Sequence, residues 1–222
     1  VKFVARLFCF ALCFSSALLH AQITATAPAS TEADNSQRFD IMGGAAYSHF
    51  NPGYAHQVQA INLLGWDGSV TTWLGDRIGA EATARGLYGT INLPANAVAA
   101  LGVQTSDMSE HLFLFGPSVR LFQRQRLTAG GHLLIGGSYG SFDKGFAGTG
   151  AQPFTYGVYN NTLAFASAVG GWAGYDLTPR FSVRFVADYQ PTRYGGTTQN
   201  EFAGSVGIVF RAGHRSVSQP KP

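Results

Sequence analysis

Residues 181–196 read FSVRFVADYQPTRYGG, and the meaning of this stretch decides the fold. Phe181, Val183, Phe185, Ala187 and Tyr189 alternate with Ser182, Arg184, Val186, Asp188 and Gln190. Strict alternation marks a β-strand whose two faces meet different surroundings. In a soluble sandwich the aromatic face is core, and Arg184 and Asp188 meet water. In a transmembrane barrel the assignment inverts: the aromatics face hydrocarbon and the charges point inward.

The bulk composition bears on that choice. Of 222 residues only 12% are charged, while Gly (28), Phe (17) and Tyr (9) are abundant. Glycine and aromatic residues disfavour a helix-rich protein, and so few charges argue against disorder. Mean hydropathy is near zero. A helical membrane protein would be far more apolar; a membrane barrel, polar at every second residue, has this balance.

The chain opens VKFVARLFCFALCFSSALLHAQ. Lys2 and Arg6 give a basic start, Leu7 to Leu19 an apolar run too short to cross a bilayer, and Ala21 a small residue for cleavage. Residues 1–21 therefore read as a cleavable signal peptide, with Ala27 a second candidate cleavage position. Both cysteines, Cys9 and Cys13, fall inside it. An exported chain without them must be held by packing or by a closed hydrogen-bonded sheet. Loss of Lys2 and Arg6 takes the net charge from +3 to +1, so no nucleic-acid partner is expected.

Residues 22–38 are small and polar and read as a flexible periplasmic lead-in. Alternating runs follow near 39–50, 61–74, 78–89, 111–122, 127–139, 162–177, 181–190 and 201–211. The segment 91–102 reads as a short helical turn within a loop. Short connections at 75–77, 123–126 and 178–180 alternate with long ones at 51–60, 90–110, 140–161 and 191–200. An up-and-down barrel sorts its connections in this way, with short turns on one side and long loops on the other. An immunoglobulin-like sandwich has no reason to. Eleven residues at ~3.3 Å each, tilted about 45°, rise roughly 25 Å, the height of a barrel's apolar band. The fold class is thus all-β: an eight-stranded antiparallel up-and-down transmembrane β-barrel over 39–211, with 212–222 a periplasmic tail.

The hairpin 64–88 carries the pattern further. With Leu74 placed opposite Ile78, one face holds Leu64, Trp66, Val70 and Leu74 against Tyr88, Gly86, Ala82 and Ile78. The other sets Asp67 opposite Arg85 and Thr71 opposite Glu81. The Trp66 ring covers the bare Gly86. A mid-bilayer arginine on lipid costs about 2–4 kcal/mol, so Arg85, Arg120 and Arg184 are assigned to the lumen, with Asp67, Glu81 and Asp188 as counter-charges. Trp66, Tyr88, Phe113, Phe115, Phe181, Phe185 and Tyr189 are assigned to the lipid-facing wall. Pro117 removes a ladder hydrogen bond and suggests a bulge. The faces of 162–177, Trp172 included, stay unassigned.

Over roughly 39–211 the chain resembles the small bacterial outer-membrane β-barrel family of the OmpA-like transmembrane domain type. LTPRFSVRFVADYQPTRYGG (177–196) and the final strand FAGSVGIVF (202–210) carry the resemblance. It implies a cell-envelope protein in the outer membrane of a double-membraned bacterium, in contact with outer-membrane lipids. It also implies that Phe210 is the last-strand aromatic read by the barrel-assembly machinery, although here the chain continues to SVSQPKP. The role implied is envelope integrity, adhesion or contact with an extracellular partner through the four loops.

Other chemistry finds little footing. The stretch GGSYGSFDKGFAGTG (136–150) lacks the spacing that cradles phosphate. His49, His56, His111, His132 and His214 show no metal-ligand spacing, although His49 and His56 share a loop. No cofactor is expected. Some small barrels act on lipid acyl chains through a serine, a histidine and an acid. Ser48 and His49, adjacent on a strand, point to opposite faces, and Ser138 stands about 20 Å from His132 along one strand. The expected function is therefore non-enzymatic presentation of loops. A narrow pore is the alternative, favoured by lumen glycines at 65, 116, 130 and 136, with a lipid-acting enzyme as the lesser one.

Overall fold

A computed structural model describes residues 37–53 and 58–214. The signal peptide, residues 22–36 of the lead-in, residues 215–222 of the tail and His56 lie outside the described residues. Eight strands follow in order: β1 (Gln37–Phe50), β2 (Ile61–Trp73), β3 (Ile78–Asn92), β4 (Thr105–Arg124), β5 (Leu127–Ser141), β6 (Thr162–Asp176), β7 (Phe181–Thr192) and β8 (Gln199–His214). Each pairs antiparallel with its sequence neighbours, and β1 pairs with β8, so the sheet closes into a barrel. Closure leaves no edge strand with unpaired backbone groups. Among the described residues no helix is long and apolar enough to cross a membrane.

The hairpin register is the one the sequence spells out. Leu64 pairs with Tyr88, Trp66 with Gly86, Asp67 with Arg85 and Thr71 with Glu81. A Cβ placed on Gly86 would stand 2.5 Å from Trp66 Nε1, so the indole occupies the space that a side chain there would fill. Segment 91–102 holds a short helix, α1 (Ala95–Leu101), closed by Gly102 in the left-handed region at φ 68° with its N–H on Val98 O.

Most strand boundaries differ from the sequence reading by one to three residues, and the start of β4 by six. β4 begins at Thr105, ahead of the run placed at 111, because its outward residues Thr105 and Asp107 rise above the apolar wall and show no hydrophobic alternation. Asp107 is tied across the ladder to Thr90, with Thr90 Oγ1 donating at 2.9 Å. Gln37 and Arg38 already belong to β1, and β8 runs on to His214. The bulge is not at Pro117: the β4–β5 ladder skips Gly116 and Pro117, then resumes in unchanged register at Ser118. The register shifts instead between Arg120 and Phe122, beside the turn at Gln125–Arg126.

Short turns gather at one end and loops 51–60, 93–104, 142–161 and 193–198 at the other. The loop end is packed. Phe50, Leu63, Leu87, Ile91, Met108 and Phe142 form a buried apolar cluster that continues into α1 through Ala97 and into the loops through Phe146 and Val158. Among the described residues an isolated bridge, Gly53 to Val158, joins the first and third loops, with Tyr159 N donating to Pro52 O beside it. The hydrophobic core of this protein is therefore a plug at one mouth of the barrel rather than a layer between sheets.

Candidate functional site: a filled lumen beneath a folded cap

The inward face holds polar residues through most of its height. At the short-turn end two indoles and two guanidiniums interleave. Arg120 lies 3.9 Å over the Trp73 ring and Arg184 4.5 Å over Trp172, and the two indoles meet edge-on at 6.2 Å. A cation over an indole face is attracted by its quadrupole, more strongly where water is excluded. Arg184 Nη2 donates to Asp40 Oδ2, Arg211 Nη2 donates to Asp176 Oδ1 at 2.6 Å, and Arg211 Nε lies 3.8 Å from Asp40 Oδ1.

Above this stands the central pair network. Arg85 Nη2 donates to Asp67 Oδ2 at 3.0 Å and to Asp188 Oδ2 at 2.9 Å, while its Nη1 donates to Gln190 Oε1 at 2.8 Å. Thr83 and Ser205 hydroxyls complete the shell of Asp67. His132 sits between Asp188 (Nε2 to Oδ1, 2.8 Å) and Glu81 (Nδ1 to Oε1, 3.2 Å). Carboxylate oxygens on both ring nitrogens are an arrangement that only imidazolium satisfies. In this central network buried charges are tolerated because each is paired and hydrogen-bonded.

Nearer the loops, Ser138 Oγ and Tyr194 OH both donate to Glu110 Oε1, at 2.8 and 2.9 Å. Tyr194, on the loop between β7 and β8, is fully buried. It stacks edge-on with Phe142 (5.3 Å) and Phe50 (5.9 Å) and tilts against Tyr159 (5.9 Å). Burial, with two carboxyl groups beside it, pushes the Tyr194 phenol well above its ordinary range, so it remains a donor.

The structure places Asp67, Glu81, Arg85, Arg120, Arg184 and Asp188 in this interior, each no more than 8% exposed. Trp66, Tyr88, Phe113, Phe115, Phe181, Phe185 and Tyr189 stand on the outer wall, Phe113 at 65% and Phe185 at 58% exposed. Phe210 also faces outward, 5.3 Å from Phe181. At the loop end the outward phenols find polar partners: Tyr47 OH donates to Asn62 and Tyr189 OH to Asn200. Amphipathic rings with wet tips suit the edge of an apolar band. Phe181 and Tyr189, eight residues apart on β7, delimit roughly 20 Å of that band.

Several interior residues escaped the sequence reading. Asp40, Asp176 and Arg211 lie at strand ends, where alternation fades. His132, Glu110 and Glu201 sit inward by parity, but parity assigns no partner. Trp172 points inward, in line with Ala164, Ala166 and Ala168. Its ring lies 2.5 Å from where a Gly130 Cβ would stand, so the space beside Gly130 is filled from the opposing strand. Ser48 and His49 occupy opposite faces, bonded to Glu201 and Asn62 respectively. Ser138 and His132 both face the lumen in separate networks.

No family model matches the sequence, and no curated protein matches it. Among solved structures the chain is similar to Ail, the attachment invasion locus protein of Yersinia pestis. It is 14% identical with a TM-score of 0.52, covering 79% of this chain and 99% of that one. Ail in complex with the heparin analogue sucrose octasulfate aligns at 16% identity and a TM-score of 0.50 over the same shares. Neisserial surface protein A aligns at 13% identity and a TM-score of 0.49, covering 78% and 96%. At such identities the likeness is one of fold. This chain has the eight-stranded architecture of the small bacterial outer-membrane barrels.

Proposed function

We propose that this chain is a non-enzymatic outer-membrane barrel of a double-membraned bacterium that holds its four-loop end outward for surface contact. One observation carries the reading: the lumen is occupied along its length, by Trp73 and Trp172 at one end, the Arg85 network in the middle and the Phe50–Phe142–Tyr194 cluster at the other. A barrel filled in this way offers two working surfaces, the apolar wall and the loops. The wall meets outer-membrane lipid, and the turn end, with β1 and β8, faces the periplasm, where the assembly machinery engages the last strand around Phe210.

Loop chemistry narrows the kind of contact. Among the described residues of the loops, the basic side chains are Lys144 and Arg193. The polyanion bound to Ail would meet little positive charge here. The third loop instead presents Asn160, Asn161 and the exposed Phe154, beside Thr162 at the start of β6, which suits contact by hydrogen bonds and apolar stacking with an uncharged partner surface.

Two measurements test the reading. The protein should fractionate with the outer membrane, and purified protein in planar bilayers should give no discrete conductance steps. Steady conductance steps would establish the narrow pore instead.

A further inference from the structure

Among the described residues the lumen buries seven carboxyl groups: Asp40, Asp67, Glu81, Glu110, Asp176, Asp188 and Glu201. Against them stand four arginines (Arg85, Arg120, Arg184 and Arg211) and His132. With His132 counted as imidazolium, seven carboxylates would leave two negative charges uncompensated. Five of the carboxyls have a direct ion pair; Glu110 and Glu201 are the two that have none. Both are fully buried.

The hydrogen-bonding at this pair is incomplete in one place. Glu201 Oε1 accepts from Thr192 Oγ1 at 2.6 Å, and Oε2 accepts from Ser48 Oγ at 3.1 Å and Gln190 Nε2 at 3.2 Å. Glu110 Oε1 accepts from Ser138 and Tyr194. Glu110 Oε2 is buried and meets no donor. The Glu201 carboxyl is itself a side-chain hydrogen-bond partner of Glu110, alongside Ser138 and Tyr194. Two carboxylates in contact without a cation cannot both stay ionised. A proton on one of them supplies the missing donor and removes one of the two surplus charges.

We propose that a proton shared between Glu110 and Glu201 latches the Tyr194 segment over the lumen, and that its loss releases this segment. Glu110 holds the Tyr194 hydroxyl, and Glu201 holds Thr192, two residues before Tyr194 on the same stretch of chain. The latch therefore grips both the last turn of β7 and the loop that follows. Two carboxylates left in contact repel, and separating them pulls Tyr194 out from between Phe50 and Phe142. The closed state binds a proton that the open state gives up, so rising pH favours opening.

The groups that face the pair are few. From β3 comes Arg85, bonded to Gln190, whose charge reaches Glu110. The loop supplies Tyr194; β1, β5 and β7 supply the neutral Ser48, Ser138, Gln190 and Thr192. Apart from Glu110 itself, the inward residues of β2, β4 and β6 at this end carry no charge, among them Leu63, Met108, Leu112, Ala164 and Ser106, whose hydroxyl is bonded to Phe142 O. Arg85 already serves Asp67 and Asp188, so it does not replace the proton.

The test uses the purified barrel in lipid nanodiscs at pH 5 and pH 9. Hydrogen exchange, corrected for its intrinsic pH dependence, is followed in peptides covering 140–146 and 191–198. Wild type should lose protection at least tenfold in these peptides at pH 9, while strands away from the cap hold theirs. Glu110→Gln, whose amide donates permanently to Glu201, should stay protected at both pH values. Glu201→Gln is a second variant of the same kind, and heat-modifiable gel migration verifies that each barrel has folded. Equal protection of wild type at both pH values, or a pH response unchanged in both Gln variants, would overturn the proposal. Restoration of wild-type protection at pH 9 by millimolar calcium would likewise overturn it, assigning the pair to a cation rather than a proton.

Discussion

Arg85 and Asp188, 103 residues apart in sequence, meet across the lumen with Nη2 2.9 Å from Oδ2. The same nitrogen reaches Asp67, so one guanidinium joins β2, β3 and β7. Arg85→Ala would leave the buried Asp67 without its ion pair and Asp188 with His132 alone. It should lower stability by roughly 3–5 kcal/mol, read as a shift of the urea midpoint for unfolding from detergent or lipid. A shift below about 1 kcal/mol would mean that water reaches this part of the lumen.

Arg184 and Phe185 are neighbours on β7 with opposite surroundings, and their substitutions should fail for opposite reasons. Arg184→Ala removes the hydrogen-bonded partner of Asp40, leaving it only Arg211 at 3.8 Å, and uncovers Trp172, with an expected cost of roughly 3–5 kcal/mol. Phe185→Arg places a charge on the outer wall midway between Phe181 and Tyr189, at a cost of about 2–4 kcal/mol in a bilayer. Unfolding in phospholipid vesicles measures both. A neutral Phe185→Arg would remove the wall from the hydrocarbon.

Trp172 fills the space beside Gly130 and carries Arg184 on its face. Trp172→Ala should cost about 3–5 kcal/mol through the cavity it leaves. It should also lower the temperature at which unboiled protein loses its folded migration on a detergent gel. Unchanged migration across the whole temperature range would show that the short-turn end is held without the indole pair.

The indole of Trp66 lies over Gly86, its cross-strand partner on the outer wall. Trp66→Ala should weaken the β2–β3 pair by about 0.2–1 kcal/mol, a much smaller effect than that of Trp172→Ala. Gly86→Val should displace the Trp66 ring and change its fluorescence. An unaltered emission spectrum would show that the ring is held elsewhere.

Much of the barrel is legible in the chain because its determinants are local. Period-two alternation around Phe185, the sorted connections and the acid–base pair Asp67–Arg85 each need only a few neighbouring residues. The register of β2 on β3 follows from the four-residue turn between them. The top of β4 was harder to see, because Thr105 and Asp107 extend above the apolar wall and lose the contrast between faces. Pro117 misled for a related reason: a missing donor shows where a ladder is interrupted, but not whether the register moves.

By itself the sequence determined which residues point inward and which outward along most strands, since the face of each side chain is set by parity along an extended strand; the Ala- and Gly-rich run 162–177 lacked the contrast to show its parity. It left open who meets whom. Arg184 finds Asp40, 144 positions away, and Glu110 finds Glu201 and Tyr194, only because β1 closes on β8 with a particular tilt and stagger. Those encounters depend on height and angle around a cylinder, quantities that parity does not encode. The cap is tertiary for the same reason: Phe50 at the end of β1, Phe142 just after β5 and Tyr194 between β7 and β8 are far apart in sequence and converge over one mouth.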